Sequence, residues 1–232
     1  MCGRFTNQYK WRELIELYRI TEPYIGSALN LQPRFNFAPT QRGVVIRLDK
    51  EGRREPVMMR WGLVPYWSKD DSGGAKMINA RGETVAEKPA YRRAFQTRPC
   101  LVPADGFYEW QKLPNGEKQP FFITTQFQEP FAFAGLWDRW QDLTQPVDAA
   151  PLETFTILTT EPNALCAPIH DRMPVMLGQE DWTAWLGTAK QRATLAPSQF
   201  PADRMEAWPV GKAVGNVKDD DKRLIERTAN DP

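Results

Sequence analysis

The second residue of the chain is a cysteine, directly behind Met1. A small residue at this position generally lets an initiator methionine be removed. The sequence therefore predicts a mature N-terminus at Cys2, with an α-amine and a thiol on one residue. With pKa values of about 7.7–8 for the amine and about 8.5 for the thiol, both are partly nucleophilic near neutral pH. An aldehyde condenses with such an amine to an imine, and the thiol then closes onto the imine carbon to give a five-membered thiazolidine. A Met-Cys start alone is a weak signal, so the rest of the chain has to supply partners for this chemistry.

Three further stretches carry suitable groups. Asn79-Ala80-Arg81 and Glu83 place an amide, a guanidinium and a carboxylate within five residues. Such an Asn can orient a substrate hydroxyl, and such an Arg can pair with a phosphate. In Gly106-Phe107-Tyr108-Glu109-Trp110, period-two alternation puts Phe107, Glu109 and Gln111 on one face of a strand and Tyr108 and Trp110 on the other. A carboxylate buried beside apolar bulk has its pKa raised, which suits a general acid/base near neutral pH. His170 is the only histidine in the chain; Asp171 and Arg172 follow it, and Pro168 and Pro174 bracket the segment. It can shuttle a proton at physiological pH. A turn with a lysine, Gly215-Asn216-Val217-Lys218, adds a weaker signal. Each stretch also has an ordinary explanation: a polar strand end, a salt-bridged Glu on an open sheet face, a structural histidine.

The elements that must position these groups are short. Trp11, Leu14, Ile15 and Tyr18 give residues 9–19 the spacing of an amphipathic helix. Residues 21–43 read as loop. Strands at 44–48 and 56–63 form a hairpin around Lys50–Arg53, and a loop with Gly73-Gly74 at its tip leads to the apolar segment 77–81. Residues 83–95 read as helix interrupted by Pro89. Strands follow at 100–103, 106–112, 120–125, 130–137 and 154–160, with an Asn115-Gly116 turn between the second and third. Residues 141–151 read as loop and 174–177 as a short apolar segment. Helices at 180–186 and 189–195, a last strand at 205–210 and a charged, fraying tail at 219–232 complete the reading. The pattern predicts one α+β domain over residues 1–218 with a mainly antiparallel sheet core.

Composition limits the function classes. The 232 residues are 41% hydrophobic and 25% charged, as in globular proteins, and no apolar run reaches the roughly 18–20 residues of a membrane span. The N-terminus lacks the apolar stretch of a signal peptide. Three cysteines without C-x-x-C spacing and a single histidine argue against structural zinc and fit a reducing cytoplasm. The net charge of +1 leaves no global basic field, so any nucleic-acid contact must be concentrated in one groove. The nine tryptophans serve either a core or a stacking surface.

Met1-Cys2-Gly3-Arg4-Phe5, Asn36-Phe37-Ala38-Pro39, Trp61-Gly62-Leu63-Val64-Pro65, Asn79-Ala80-Arg81-Gly82-Glu83-Thr84, Cys100 through Trp110, His170-Asp171-Arg172-Met173-Pro174 and Gly215-Asn216-Val217-Lys218 occur in an order that resembles the SOS response-associated peptidase (SRAP) family. The resemblance spans residues 2–218. It implies a barrel-like β core and a protein that bonds covalently to abasic sites in single-stranded DNA, with associated lyase activity and removal of its own Met1. It places the nucleophile at Cys2, a contact to the opened sugar at Asn79, proton transfer at Glu109, and ring opening and slow crosslink reversal at His170. It places Arg4, Asn36, Pro39, Trp67, Arg81 and Arg172 at the DNA, with the arginines on phosphates and Trp67 stacking on a base. It further implies a monomer in the cytoplasm, associated with DNA, that needs no cofactor and no metal. Two other readings remain open: an N-terminal-nucleophile amidohydrolase, which also begins Met-Cys-Gly, and a non-covalent single-strand binder.

Overall fold

The computed structural model describes residues 2–25, 31–146 and 148–228. In chain order its strands are β1 (Arg4–Asn7), β2 (Arg34–Phe37), β3 (Arg42–Leu48), β4 (Arg54–Trp61), β5 (Asn79–Arg81), β6 (Pro99–Ala104), β7 (Gly106–Lys112), β8 (Lys118–Thr125), β9 (Phe131–Trp140), β10 (Leu152–Thr160), β11 (Met173–Pro174), β12 (Met176–Gly178) and β13 (Met205–Pro209). The helices are α1 (Trp11–Leu17), α2 (Arg92–Thr97), α3 (Trp182–Leu186) and α4 (Ala189–Leu195).

Five strands close on themselves: β10 pairs with β4, β4 with β3, β3 with β6, β6 with β9, and β9 with β10 again. The pairings are antiparallel except β4–β10. Where β4 ends, β5 takes its place along β10, also parallel, with Asn79 opposite Ile157 and Arg81 opposite Thr159. A second, fully antiparallel sheet runs β13-β8-β7-β1-β2. The chain thus adopts the α+β class with the mainly antiparallel core that the pattern predicts and the barrel-like form that the resemblance implies. The parallel contacts of β10 are an addition, because parallel partners lie far apart in sequence and leave no local turn signal.

Alternation along the barrel strands divides the core. Val45, Val102, Phe133, Phe155 and Ile157 pack with Phe5, Phe37, Phe107, Ile123 and Met205 of the second sheet. Val44, Ile46, Leu101, Ala134, Leu136 and Leu158 pack instead with Leu14 and Tyr18 of the α1 region and with Trp182 and Trp185 of α3. A one-residue slip would exchange the two sets, so burial of both faces fixes the register. Full burial of one such large apolar side chain contributes about 1.5–3 kcal/mol.

Three expectations need correction. Within the predicted 21–43 loop, Arg34–Phe37 forms β2, whose partner β1 lies some thirty residues away, and residues 26–30 of that loop lie outside the described residues. The predicted helix at 83–95 starts only at Arg92, after successive turns closed by bonds such as Thr84 N–H to the Arg81 carbonyl (3.2 Å) and Arg92 N–H to the Lys88 carbonyl (2.9 Å). Pro89 has no N–H to give a helix and pushes the preceding residue away from helical geometry. The tail from 219 does not fray through residue 228; its last four residues lie outside the described residues. Asp220 pairs with Arg34 and accepts the backbone N–H groups of Phe35 and Asn36 at 2.5 and 2.9 Å, and Leu224 is buried.

Asn36 is the residue that receives this tail. Its amide nitrogen donates to the carbonyls of Val214, Asn216 and Asp219 at 3.2, 3.0 and 2.8 Å, and it is fully buried. It is therefore an internal brace and not a surface contact for DNA. Asn36→Ala would strip those carbonyls of their donor, and a loss of about 2–3 kcal/mol is expected in urea unfolding.

Candidate active site

The pairing of β1 with β7 sets Arg4 opposite Tyr108, Phe5 opposite Phe107 and Thr6 opposite Gly106. Continued by one step, that register brings Gly3 opposite Glu109, and it carries Cys2 to the same end of the sheet. As the alternation predicts, Phe107 faces the shared core, while Tyr108 packs on the opposite face with Phe122 and Val210. Glu109 therefore points inward and is only 2% exposed. Burial pushes its carboxyl from 4.5 up to about 7.

Cys2 is fully buried among the apolar residues of the shared core. Burial pushes its thiol far above the ordinary value, and the charge of Glu109 pushes in the same direction. Asn79, the first residue of β5, donates its amide N–H to the Cys2 carbonyl at 2.8 Å. A bond from β5 thus holds the start of β1.

His170 arrives on the loop between β10 and β11. Asn163 shapes this loop: its side-chain oxygen accepts the N–H groups of Leu165 and Cys166 at 3.1 and 3.0 Å, and its amide donates to the Phe200 carbonyl at 2.7 Å. Gln111 of β7 donates to the Pro168 carbonyl at 3.0 Å and ties the loop to the strand that carries Glu109. His170 Nε2 then lies 3.8 Å from Glu109 Oε2. Burial pushes the imidazole below its ordinary pKa. Cys2, Asn79, Glu109 and His170 thus come together from four separate parts of the chain.

The residues expected at DNA divide. Trp67 is 57% exposed and Arg81 is exposed, while Arg4 and Pro39 are half-buried. Burial lowers the pKa of the Arg4 guanidinium. Arg172 is held by a two-pronged ion pair with Glu83, at 2.7 and 2.9 Å, and by the Thr159 carbonyl at 2.7 Å. Arg93, which the sequence reading passed over, lies 4.1 Å over the Tyr66 ring beside Trp67. Cys166 was also passed over; burial and the Glu109 charge push its thiol up to about 12. Asn163 could have been found from its place just after a strand, where Asn side chains cap turns.

Among the described residues, buried polar atoms without a hydrogen-bond partner include Arg4 Nε, Asn79 Oδ1 and Arg172 Nε. Such atoms are costly and rare, and these three fall on residues singled out by chemistry, whereas others, such as Thr156 Oγ1, do not. Among the described residues no cluster of His, Cys, Asp and Glu is arranged to hold a metal ion, and no helix is long and apolar enough to cross a membrane.

Fold and site together define a β-barrel protein organised around a cysteine at the start of its first strand. The family model described as SOS response associated peptidase (SRAP) matches residues 1–217. The chain is 39% identical over 229 residues to the abasic site processing protein YoaM of Bacillus subtilis, covering 97% of this chain and 98% of that one. It is 31% identical over 238 residues to the abasic site processing protein YedK of Escherichia coli, covering 97% and 99%. It is 32% identical over 220 residues to the abasic site processing protein HMCES of Gallus gallus, covering 82% of this chain and 64% of that one. A crystal structure of a Bacteroides thetaiotaomicron protein superposes with a TM-score of 0.85 at 26% identity, covering 98% of this chain and all of the other. The chain belongs to the SRAP family.

The raised Glu109 pKa makes a stability prediction with a definite sign. Glu109 holds its proton more tightly in the folded chain than in the unfolded one. Its favourable contribution is complete below pH 4.5 and is lost as the pH rises through about 7. The loss is on the order of 3 kcal/mol. Glu109→Gln is therefore expected to unfold at higher denaturant than the wild type at pH 8, by about 1–3 kcal/mol, with the gap closing towards pH 5.

Proposed function

We propose that the chain processes abasic sites in single-stranded DNA, and that Cys2, once Met1 is removed, is joined to the lesion as a thiazolidine. The observation that carries the reading is the meeting of Cys2, held through its carbonyl by Asn79, with a buried carboxyl poised near neutrality on β7. The names of the relatives and the family match support the same reading.

The chemistry balances with no cofactor. The freed Cys2 amine attacks the aldehyde of the ring-opened deoxyribose, and the resulting carbinolamine loses one water to give the imine. The thiol sulfur then bonds to the imine carbon, and its proton passes to the nitrogen. A thiol so far from ionising needs a base at the moment of attack. Glu109 takes that proton and returns it, and earlier it protonates the departing hydroxyl. The unpartnered Asn79 Oδ1 accepts from a sugar hydroxyl, and His170 assists opening of the sugar ring and slow reversal. Arg4 and Arg81 meet phosphates, and Trp67 offers a stacking face. If the thiol fails to trap the imine, β-elimination cleaves the strand, which gives the lyase activity. The peptidase activity of the family name is, in this chain, removal of its own Met1.

The test is a denaturing gel of the Met1-free protein with an oligonucleotide carrying one abasic site. A retarded band is expected, with an intact mass equal to protein plus DNA minus one water, and no such band for Cys2→Ala. Absence of the band from the wild type overturns the reading, and binding without it points to a non-covalent binder. Glu109→Gln is expected to crosslink about 100-fold more slowly with DNA binding kept; a wild-type rate across pH 6–8 removes Glu109 from the proton transfers.

A further inference from the structure

Glu83 follows the Asn79-Ala80-Arg81 strand by two residues. Gly82 between them packs so closely on the chain that a Cβ there would run into the Ala196 carbonyl, so the backbone around Glu83 has little freedom. The carboxylate takes both terminal nitrogens of Arg172, Nη1 at 2.7 Å and Nη2 at 2.9 Å. This fork-to-fork pairing fixes orientation as well as distance. The same Nη2 donates to the Thr159 carbonyl on β10 at 2.7 Å. Arg172 is thereby fastened to two elements at once.

The backbone N–H of Arg172 donates to His170 Nδ1 at 3.0 Å. A neutral imidazole carries one proton, and a ring nitrogen that accepts a hydrogen bond does not bear it. The proton then sits on Nε2, which faces Glu109 Oε2 across 3.8 Å. A second group competes for Nδ1, because Asp171 Oδ1 lies 2.8 Å from it. A carboxylate there favours the opposite tautomer, with Nδ1 protonated and Nε2 bare. Asp171 is 89% exposed and screened by water, whereas the Arg172 N–H belongs to a fastened residue. The other charges acting on the ring come from the N-terminal amine of the chain, which lowers its pKa more than any other charge does, from Glu109 on β7 and from Lys118 on β8.

We propose that Glu83 is a positioning residue: through Arg172 it selects the Nε2–H tautomer of His170 and so favours the ionised, proton-accepting form of Glu109. With a bare Nε2 facing it, Glu109 would be held in its protonated form, since two acceptors repel each other. Glu83 thus links the segment that carries Asn79 to the proton-handling pair, although it touches neither substrate nor nucleophile. The consequence for activity rests on the abasic-site reading; the tautomer itself does not.

The single histidine of the 232-residue chain makes the test direct, because an untagged protein has one imidazole in a nitrogen-15 spectrum. At pH 8 the wild type is expected to show an unprotonated Nδ1 and a protonated Nε2; the reverse pattern overturns the inference. In Glu83→Gln the two nitrogens are expected to shift towards an average as the Asp171-bonded tautomer gains population. Crosslinking is expected to slow about tenfold, with the midpoint of its pH–rate profile moved upward and binding to undamaged single strands not reduced. An unchanged tautomer together with an unchanged pH profile overturns the inference. Glu83→Asp keeps the charge but shortens the reach, and its spectrum is expected between the other two. It carries the test if Glu83→Gln does not fold, and a wild-type spectrum in it then overturns the inference. Should the wild type form no crosslink at all, the abasic-site reading fails while the tautomer still decides the role of Glu83.

Discussion

The site depends on one strand pairing between segments about a hundred residues apart, β1 against β7. This pairing draws the start of the chain into the body of the protein. It also turns Glu109 inward, because the register that buries Phe5 and Phe107 together leaves the next inward position of β7 to a carboxylate. An apolar residue there would fold more comfortably. Keeping a carboxyl in that place costs stability increasingly as the pH rises above 4.5 and fully above about 7, and the result is a carboxyl that is half-ionised near neutrality.

A reactive residue at the start of a chain presents a problem that a mid-chain residue does not, because chain ends are poorly ordered unless tied down. Here the tie is doubled. β1 is hydrogen-bonded between β7 and β2, and the amide of Asn79 grips the carbonyl of Cys2 itself. Asn79 can do this because β5 extends β10 in parallel beyond the end of β4, which aims its first residue at the N-terminus. The amide nitrogen is thereby spent on the protein, and the amide oxygen remains without a partner. One side chain both fastens Cys2 and presents an open acceptor beside it.

Much of this was legible in the sequence where local rules apply. Strict alternation in Phe107-Tyr108-Glu109-Trp110 placed Glu109 on the same face as Phe107, and the β3–β4 and β7–β8 hairpins announce themselves through their turns. What escaped has a common cause. β2, the parallel partners of β10 and the docking of residues 219–228 are all made by contacts between distant segments, and a four-residue strand such as Arg34–Phe37 is too short to show a period. Asn36 was misplaced for the same reason. A polar residue in a recognisable motif reads as a contact to a partner, yet its three bonds are to carbonyls about 180 residues away. The helix expected at 83–95 failed for a local reason that was in view: Pro89 breaks it, and only the residues after it wind up.

The charge arrangement follows from the same economy. A chain with a net charge of +1 cannot attract a polyanion by its overall field. Its arginines are moreover largely committed: Arg172 to Glu83, Arg34 to Asp220, Arg47 to Glu55 and Glu153, and Arg192 to four backbone carbonyls. Few cations at the site are left uncommitted, chiefly exposed Arg81 and half-buried Arg4. If the chain binds DNA as proposed, few phosphate contacts would mean little counterion release, hence modest affinity for undamaged strands and a shallow dependence on salt. A protein built this way does not need to hold DNA tightly. Under the proposed function, a covalent bond formed only where an aldehyde meets the aminothiol would supply the retention, and weak binding elsewhere would let the chain leave strands that carry no lesion.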